Sequence, residues 1–209
     1  MIRVLIIDDH MIIRRGLIQI LSEDARIASV QEAADGPGGL RLLREQTLDV
    51  VLLDIALGSR DGLDVLASIR SEFPRLGVIM LSVYPESQFA VRAIRNGANA
   101  YLNKGCEPEE LLAAITKVAG GGVYITPAIA ELLAQNVRQD ASSAPHELLS
   151  NREFQVLKLL AQGRSVSEIG LQLALSPNTI STYRSRIFDK LGIKTLVDLL
   201  AYIRHHQLA

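Results

Sequence analysis

The chain has 209 residues, 48% of them hydrophobic, and carries 22 Lys or Arg against 23 Asp or Glu, for a formal net charge of −1. This length and composition support one large or two small folded domains and exclude a largely disordered chain. The sequence has no run of 18 apolar residues, no secretory signal pattern and a single cysteine, Cys106. It therefore predicts a cytoplasmic protein with no membrane contact and no internal disulfide.

Charge is distributed unevenly along the chain. Residues 1–125 carry 13 basic and 16 acidic side chains, whereas residues 147–209 carry 8 basic and 5 acidic ones. An acidic first half joined to a basic second half indicates that only the second half meets a polyanion.

The first 125 residues alternate between short apolar runs and helical patterns. The runs predict β-strands at residues 4–7, 27–30, 50–53, 78–81 and 100–102. The segments between them space apolar residues at i, i+3 and i+4, which predicts helices. Strands that alternate with helices form parallel sheets, so the predicted fold is an α/β, doubly wound, five-stranded parallel sheet. Functional groups in such a sheet gather at the carboxyl ends of its strands.

The pattern changes after this domain. A short helix is predicted from Pro127 to about residue 137, and residues 138–147 contain no apolar side chain larger than alanine, which is typical of a linker. Four short helices follow, the first with a capping box of Ser150 and Glu153. The predicted divisions are residues 1–122, a connecting helix and linker at 123–147, and an all-α four-helix domain at 148–209.

Polar side chains follow four of the five predicted strands. Asp8 and Asp9 follow the first strand, Asp54 the third, Ser82 the fourth and Lys104 the fifth. Three close carboxylates form an oxygen-rich site for a hard divalent cation such as Mg²⁺. A carboxylate beside that ion can attack a phosphoryl group and become an acyl phosphate, with Lys104 as the cation and the Ser82 hydroxyl as a donor.

Each of these residues alone has an ordinary structural explanation. An aspartate after a strand often caps a helix or lies in a solvated loop, and a lone lysine or serine is usually a surface or capping residue. The whole set at successive strand ends is hard to obtain by chance, which favours the functional interpretation. His10 is interpreted as a helix-start residue rather than a transition-metal ligand, because no second His or Cys lies at ligand spacing.

The motifs "IIDDH", "VVLLDI", "DG" at 61–62, "LS" at 81–82 and "YLNK" at 101–104 make residues 1–120 resemble the receiver domain of two-component response regulators. The resemblance implies a flavodoxin-like fold with Asp54 as the phosphoacceptor. It implies a Mg²⁺ site formed by Asp8, Asp9, Asp54 and the Ala56 backbone carbonyl, with phosphoryl contacts from Ser82 and Lys104. It also places Tyr101 at the position of an aromatic switch, where the alternative is a tyrosine that only caps the fifth strand.

Two positions depart from the pattern of the receiver family. Gly58 stands where the family usually has proline, which predicts a more mobile loop after Asp54 and a less certain hold on the metal. Gly105 follows Lys104 in place of the frequent proline, so no cis-proline is implied there. Neither change removes a reactive group.

The second and third C-terminal helices, predicted at about 167–173 and at 177–191, are joined by a tight connection that is typical of a helix-turn-helix. The third helix has an inward apolar face and an opposite face of small hydroxyls and Asp189, a narrow shape that suits a major groove. The inward residues are Ile180, Ile187, Leu191 and Phe188. The candidate DNA contacts are Ser181, Thr182 and Ser185 for base edges, and Thr179, Arg184, Arg186, Lys190 and Lys194 for phosphates. The helix pattern and charge alone fit a four-helix interaction module nearly as well.

Residues 149–193, "LSNREFQVLKLLAQGRSVSEIGLQLALSPNTISTYRSRIFDKLGI", closely resemble the LuxR-type DNA-binding domain of the NarL/FixJ response regulators, and the form "LSPNTISTYRSR" is most similar to the BvgA/GacA-like branch. The resemblance implies base contacts at positions 181, 182 and 185 and a dimer contact through the final helix at 196–206. The apolar residues of that helix form the dimer contact or belong to the core of the domain. They are Leu196, Leu199, Leu200 and Ile203.

The two resemblances together predict a phosphorylation-dependent transcriptional regulator. Its expected partners are a sensor histidine kinase, Mg²⁺, double-stranded promoter DNA and a second copy of the chain. An enzyme is the first alternative, a Mg²⁺-dependent phosphatase with an aspartyl nucleophile. Ala56 argues against it, because that chemistry needs a second acid–base aspartate two residues after the nucleophile. The other alternative is a constitutive DNA-binding or scaffold protein, which the intact set of strand-end residues disfavours.

Overall fold

The predicted apolar runs form one parallel sheet in the computed structural model, which describes residues 1–57, 60–139, 145–206 and 208. The strands are β1 (Ile2–Ile7), β2 (Ile27–Ala33), β3 (Val50–Asp54), β4 (Ala56–Leu57), β5 (Arg60–Asp61), β6 (Gly77–Ser82) and β7 (Ala100–Asn103). The sheet order is β2-β1-β3-β6-β7 with every neighbouring pair parallel, so the predicted doubly wound fold is confirmed. The sequence pattern does not predict the antiparallel pair β4–β5, because strands of two residues carry no periodicity.

Helices cover both faces of this sheet. They are α1 (Met11–Ser22), α2 (Gly36–Glu45), α3 (Gly62–Glu72), α4 (Glu86–Arg95) and α5 (Pro108–Ala119). Leu21 of α1 and Ile115 of α5 belong to the same buried cluster as Val4 of β1 and Leu52 of β3, which places these two helices on one face. Helices α2 and α3 contact each other and strands β1 and β3. Burial on both faces explains why the central strands are continuous apolar runs rather than alternating ones.

A sixth helix, α6 (Pro127–Gln139), begins with proline at its first turn as the sequence predicts. The first of two compact units spans Met1–Arg138 and the second Gln139–Ala209, so α6 belongs almost entirely to the first unit. Ile129 of α6 is fully buried, and the Thr126 hydroxyl before it donates to Glu86 Oε1 at 3.0 Å. The first unit thus extends past residue 122, where the sequence places the end of the receiver-like domain. Of the predicted linker, residues 140–144 lie outside the described residues.

The second unit is helical throughout its described part, as predicted. It contains a 3₁₀ turn (Pro145–Leu148) and helices α7 (Asn151–Ala161), α8 (Val166–Gln172), α9 (Pro177–Leu191) and α10 (Leu196–His205). Ser150, Ser165 and Thr195 each form a capping box at the start of their helices, so hydroxyl and carboxylate side chains satisfy the exposed backbone amides. None of the described helices is long and apolar enough to cross a membrane.

Candidate functional site

The carboxyl edge of the sheet brings the strand-end residues together. Strands β1 and β3 are paired with Ile7 opposite Leu53, so Asp8 and Asp54 leave adjacent strands at the same level. Ser82 ends β6 opposite Asn103 of β7, one residue before Lys104. The predicted convergence of these residues follows directly from this register.

The two aspartates at the centre are buried beside a lysine. Asp8 and Asp54 are each 1% exposed. Lys104 Nζ lies 2.7 Å from Asp8 Oδ2 and 2.9 Å from Asp54 Oδ2. One ammonium therefore bridges two carboxylates that would otherwise repel each other in a water-poor site.

Burial dominates the electrostatics of Asp54. Desolvation raises the pKa of its carboxyl, attraction and a hydrogen bond from Lys104 oppose the rise, and repulsion from Asp8 adds to it. Asp54 Oδ1 also accepts a hydrogen bond from the Ala56 N–H at 3.2 Å. The site thus holds an anionic oxygen that a cation or an electrophilic phosphorus stabilises by removing its excess charge.

The donor atoms at this edge suit a divalent cation. One ligand atom each from Asp8, Asp9, His10 and Asp54 lies within 4.8 Å of the others. Three of the four are carboxylate oxygens, the ligands that Mg²⁺ prefers, and the exposed Asp9 leaves an approach from solvent. The donor set therefore fits Mg²⁺; the Ala56 carbonyl stays a predicted ligand. Gly58, for which the sequence predicts a more mobile segment after Asp54, lies outside the described residues.

His10 occupies the position before α1, as the interpretation from sequence has it, but its ring does not cap that helix. Its Nδ1 atom lies 2.9 Å from Asp9 Oδ1, 3.1 Å from Asp8 Oδ1 and 3.8 Å from Asp54 Oδ2. The backbone N–H of His10 donates to Asp8 Oδ1 at 2.8 Å. The imidazole is therefore part of the acidic cluster, a placement that residue spacing along the chain does not reveal.

Ser82 and Tyr101 form a second hydrogen-bonded group behind Asp54. Ser82 is fully buried, and its Oγ accepts from the Tyr84 N–H at 3.0 Å. Tyr101 is also fully buried, and its hydroxyl donates to the Tyr84 carbonyl oxygen at 3.1 Å. Burial raises the pKa of Tyr101, so this hydroxyl keeps its proton and remains a donor. The ring of Tyr101 is therefore turned inward and linked to the residues after β6, and its role as a switch stays a prediction.

Two residues that support the site have no role in the predictions from sequence. Arg14 of α1 donates through one guanidinium nitrogen to the Asp8 carbonyl oxygen at 2.7 Å and through Nε to Glu32 at 2.9 Å. It thereby ties the loop that carries the aspartates to the end of β2. Gly62 begins α3 so close to β3 that a Cβ there would lie 2.0 Å from the Asp54 carbonyl oxygen. In the sequence, only the "DG" motif points to Gly62, and that motif does not explain why a glycine is needed there.

In the second unit, α9 presents the predicted polar face. Ile180, Ile187 and Leu191 are buried and Phe188 is half-buried, so the inward face is confirmed. The candidate DNA contacts Ser181, Thr182, Ser185, Arg184 and Arg186 are all exposed. Near the start of the helix, Thr179 pairs its hydroxyl with Ser176 at 2.8 Å.

Lys190 has a partner inside the domain. Its Nζ lies 2.7 Å from Oε2 of Glu153, a nearly buried carboxylate that also accepts from the Ser150 N–H at 2.6 Å. Although burial opposes ionisation, hydrogen bonds from Lys190 and Ser150 hold the pKa of Glu153 below its usual range. Lys190 therefore joins α9 to α7, and its phosphate contact stays a prediction.

The apolar residues of α10 divide into two groups. Leu199 and Ile203 are buried in the domain core, at 0% and 3% exposure. Leu196 and Leu200 are exposed at 46% and 43%, and Val197 beside them at 75%. The two alternatives given by the sequence thus apply to different residues: two belong to the core, and two remain available for a dimer contact together with Val197.

Models of two protein families match the chain. The response regulator receiver domain matches residues 4–116, and the bacterial regulatory protein luxR family matches residues 147–203. The receiver model alone covers more than half of the chain. The chain belongs to the two-component response regulators of the NarL/FixJ family, with a receiver domain followed by a LuxR-type DNA-binding domain. Receiver domains bind Mg²⁺ at an acidic pocket and are phosphorylated by histidine kinases.

Individual relatives match almost end to end. The response regulator UvrY of Escherichia coli strain K12 is 36% identical over 207 residues, 98% of this chain and 95% of its own length. The response regulator GacA of Pseudomonas aeruginosa is 37% identical over 98% of this chain and 97% of its own, which supports the resemblance to the GacA-like branch. RcsB of Salmonella enterica serovar Typhimurium, solved bound to a promoter in the presence of phosphomimetic BeF₃⁻, is 25% identical with a TM-score of 0.60 over 97% of each chain.

Proposed function

We propose that this chain is a phosphorylation-dependent transcriptional regulator whose phosphoacceptor is Asp54. The observation that carries the proposal is the placement of the Asp54 carboxylate, buried at the carboxyl edge of the sheet and 2.9 Å from Lys104 Nζ. A sensor histidine kinase is the proposed donor of the phosphoryl group, and a regulator that reaches promoter DNA works in the cytoplasm.

The transfer is a displacement at phosphorus. A carboxylate oxygen of Asp54 attacks the phosphorus of the kinase phosphohistidine, the P–N bond breaks as the O–P bond forms, and the imidazole leaves and takes up a proton. Mg²⁺, held by Asp8, Asp9 and Asp54, would supply positive charge to the phosphoryl oxygens. Lys104 supplies a second positive charge, and the Ser82 hydroxyl can donate to a phosphoryl oxygen once it turns away from the Tyr84 amide.

The switch is proposed to run through the residues after β6. When Ser82 turns toward the phosphoryl group, the Tyr84 amide loses its acceptor, and Tyr84 also accepts from the Tyr101 hydroxyl. Two residues further on, Glu86 begins α4 and accepts from Thr126, the residue before α6. A shift at Ser82 can therefore reach the helix that leads out of the receiver domain through the hydrogen bond to Tyr84, the backbone from Tyr84 to Glu86, and the hydrogen bond from Thr126.

DNA binding and dimerisation are proposed for the second unit. The exposed hydroxyls of Ser181, Thr182 and Ser185 read base edges, and Arg184 and Arg186 contact phosphates. Double-stranded promoter DNA with paired half-sites suits a homodimer, with the exposed part of α10 as its contact.

We propose that the chain is not an enzyme for any external substrate. It only accepts a phosphoryl group on Asp54 and later loses it. The residue two positions after the nucleophile is Ala56, which has no group that could act as acid or base toward a leaving group. Loss of the phosphoryl group then depends on water and not on a built second catalytic residue.

The test is phosphorylation of the full chain by a small acyl phosphate donor with Mg²⁺, followed on phosphate-affinity gels. Wild type is expected to gain one hydroxylamine-labile phosphate, and Asp54→Asn none. Asp64→Asn is the matched control, because Asp64 is an exposed carboxylate on α3 outside the site. If Asp54→Asn still gains the hydroxylamine-labile phosphate, Asp54 is not the phosphoacceptor. Equal DNA affinity with and without phosphate would favour the constitutive alternative.

A further inference from the structure

His10 contributes a nitrogen atom to a cluster that is otherwise all oxygen. Among the described residues, the group of Asp8, Asp9, His10 and Asp54 is the only set of three or more His, Cys, Asp or Glu side chains whose ligand atoms converge in this way. The His10 ring caps no backbone amide of α1, so helix capping does not explain its position.

Two of the three distances from Nδ1 to the surrounding carboxylates match those between neighbouring ligands on one metal ion, and the third, to Asp54 Oδ2, is longer at 3.8 Å. With metal–ligand bonds of about 2.1 Å in an octahedron, adjacent donor atoms lie about 3 Å apart. His10 Nδ1 lies 2.9 Å from Asp9 Oδ1 and 3.1 Å from Asp8 Oδ1. The ring is 60% exposed, so it can adjust without displacing core side chains.

We propose that His10 is a ligand of the metal centre and shifts its preference from Mg²⁺ toward divalent transition ions such as Mn²⁺ and Co²⁺. A neutral imidazole nitrogen is a softer donor than a carboxylate or water oxygen, and it binds transition ions better than Mg²⁺, which keeps oxygen ligands. The inference rests on the proposed function, since it requires that a divalent ion binds at Asp8, Asp9 and Asp54.

The first experiment detects the bond itself. Mn²⁺ is added to the full chain, and its electron spin echo is examined for modulation by a bonded ¹⁴N nucleus. Wild type is expected to show the nitrogen coupling, and His10→Gln is expected to bind Mn²⁺ without it, because glutamine offers an oxygen in place of nitrogen. His206→Gln is the matched control for the histidines of the second unit, where His205 and His206 rings lie 4.9 Å apart. It should keep the coupling.

The second experiment measures selectivity. Competition between Co²⁺ and Mg²⁺ for the site is expected to shift toward Mg²⁺ by about tenfold or more in His10→Gln, since loss of even an outer partner costs a metal site that much. Asp9→Asn identifies the site, because this substitution should lower the affinity for Co²⁺ and for Mg²⁺ together.

The outcomes separate the two proposals. Asp9-dependent Mn²⁺ binding without nitrogen coupling, or coupling that survives in His10→Gln, overturns the role of His10 and leaves the proposed function intact. Failure of Mg²⁺ and Mn²⁺ alike to bind in an Asp9-dependent way overturns both. Loss of the coupling in His206→Gln, with none lost in His10→Gln, also overturns the assignment by locating the nitrogen in the second unit.

Discussion

At the scale of single residues, Asp54 is a carboxylate whose surroundings disfavour its charged form. Burial raises its pKa and Lys104 offsets only part of that rise. The folded chain therefore holds the Asp54 proton more tightly than the unfolded chain, and ionisation at neutral pH costs stability. Asp54→Asn is expected to increase the free energy of unfolding by urea at neutral pH. The gain should disappear as the pH falls through the raised pKa of the folded state toward the unfolded value.

Asp49→Asn is the matched control, because Asp49 precedes the other end of β3 and lies in the opposite electrostatic situation. Hydrogen bonds from Arg3 hold the pKa of Asp49 below its usual range. Its ionised form therefore stabilises the fold at neutral pH, and that contribution is lost as the pH falls through the lowered folded-state pKa. Asp49→Asn should lower stability where Asp54→Asn raises it. The same sign for both variants would mean that attraction by Lys104, and not burial, governs Asp54.

At Gly62, the addition of a single methyl group should cause a large loss of folding stability. A methyl group there would lie 2.0 Å from the Asp54 carbonyl oxygen and 2.8 Å from Ile55 Cα, backbone atoms that cannot move without distorting the end of β3. Gly62→Ala is expected to destabilise the receiver domain by about 3 kcal/mol, the upper range for overpacking, and to slow phosphorylation. Urea unfolding and phosphorylation rates measure the two effects.

Gly16→Ala provides the comparison within the same domain. Gly16 lies inside α1 with no atom within 4 Å of a new Cβ, so alanine should stabilise the helix by up to about 1 kcal/mol. Equal changes in stability for Gly62→Ala and Gly16→Ala would contradict this prediction, because they would show that α3 can move away from β3 without a loss of stability.

The residues of the site differ in how far the sequence alone predicts them. Asp8, Asp54, Ser82 and Lys104 were predictable to meet, because parallel strands place all their carboxyl ends at one edge. The ring of His10 was not, since a helix-start position says nothing about which way a side chain turns. The bond from Arg14 to the Asp8 carbonyl depends on the three-dimensional path of α1, which no local pattern encodes.

At the scale of elements, the turn between α8 and α9 contains a residue under backbone strain. Ala174 adopts a φ of 53°, the only positive φ of a non-glycine residue among those described. This conformation costs an L-residue about 1–2 kcal/mol, whereas glycine loses about 0.5–1 kcal/mol of chain entropy. Ala174→Gly is expected to raise the stability of the DNA-binding domain by up to about 1 kcal/mol in thermal unfolding. Ala174→Val should lower it, because a β-branched side chain tolerates this region least.

Elements with strong local signals are those that the sequence predicts best. Pro127 at the first turn of α6, the Ser150–Glu153 capping box of α7 and the bounds of α9 all agree with the pattern. The assignment of α6 to the first unit could not be read in this way. It depends on the burial of Ile129 and on the hydrogen bond from Thr126 to Glu86, which lie 40 residues apart along the chain.

At the scale of the whole molecule, charge and chemistry are divided between two units. The acidic first half carries the buried carboxylates of Asp8 and Asp54, and the basic second half carries the polar face of α9. This division keeps the carboxylate cluster, whose negative charge the proposed phosphorylation would increase, in a different folded unit from the surface proposed to contact DNA phosphates.

The last prediction separates attraction from recognition on α9. Arg184→Ala removes a proposed phosphate contact, so it should weaken binding to all DNA sequences alike and reduce the slope of log affinity against log salt by about one. Ser181→Ala keeps the charge and removes a base-edge hydroxyl, so the slope should stay while preference at one base position relaxes. Fluorescence anisotropy over a series of salt concentrations, with a promoter site and its single-base variants, measures both quantities. Arg204→Ala, an equal loss of charge at the end of α10, should change neither; a reduced slope in this control would mean that net charge, and not the face of α9, sets the affinity.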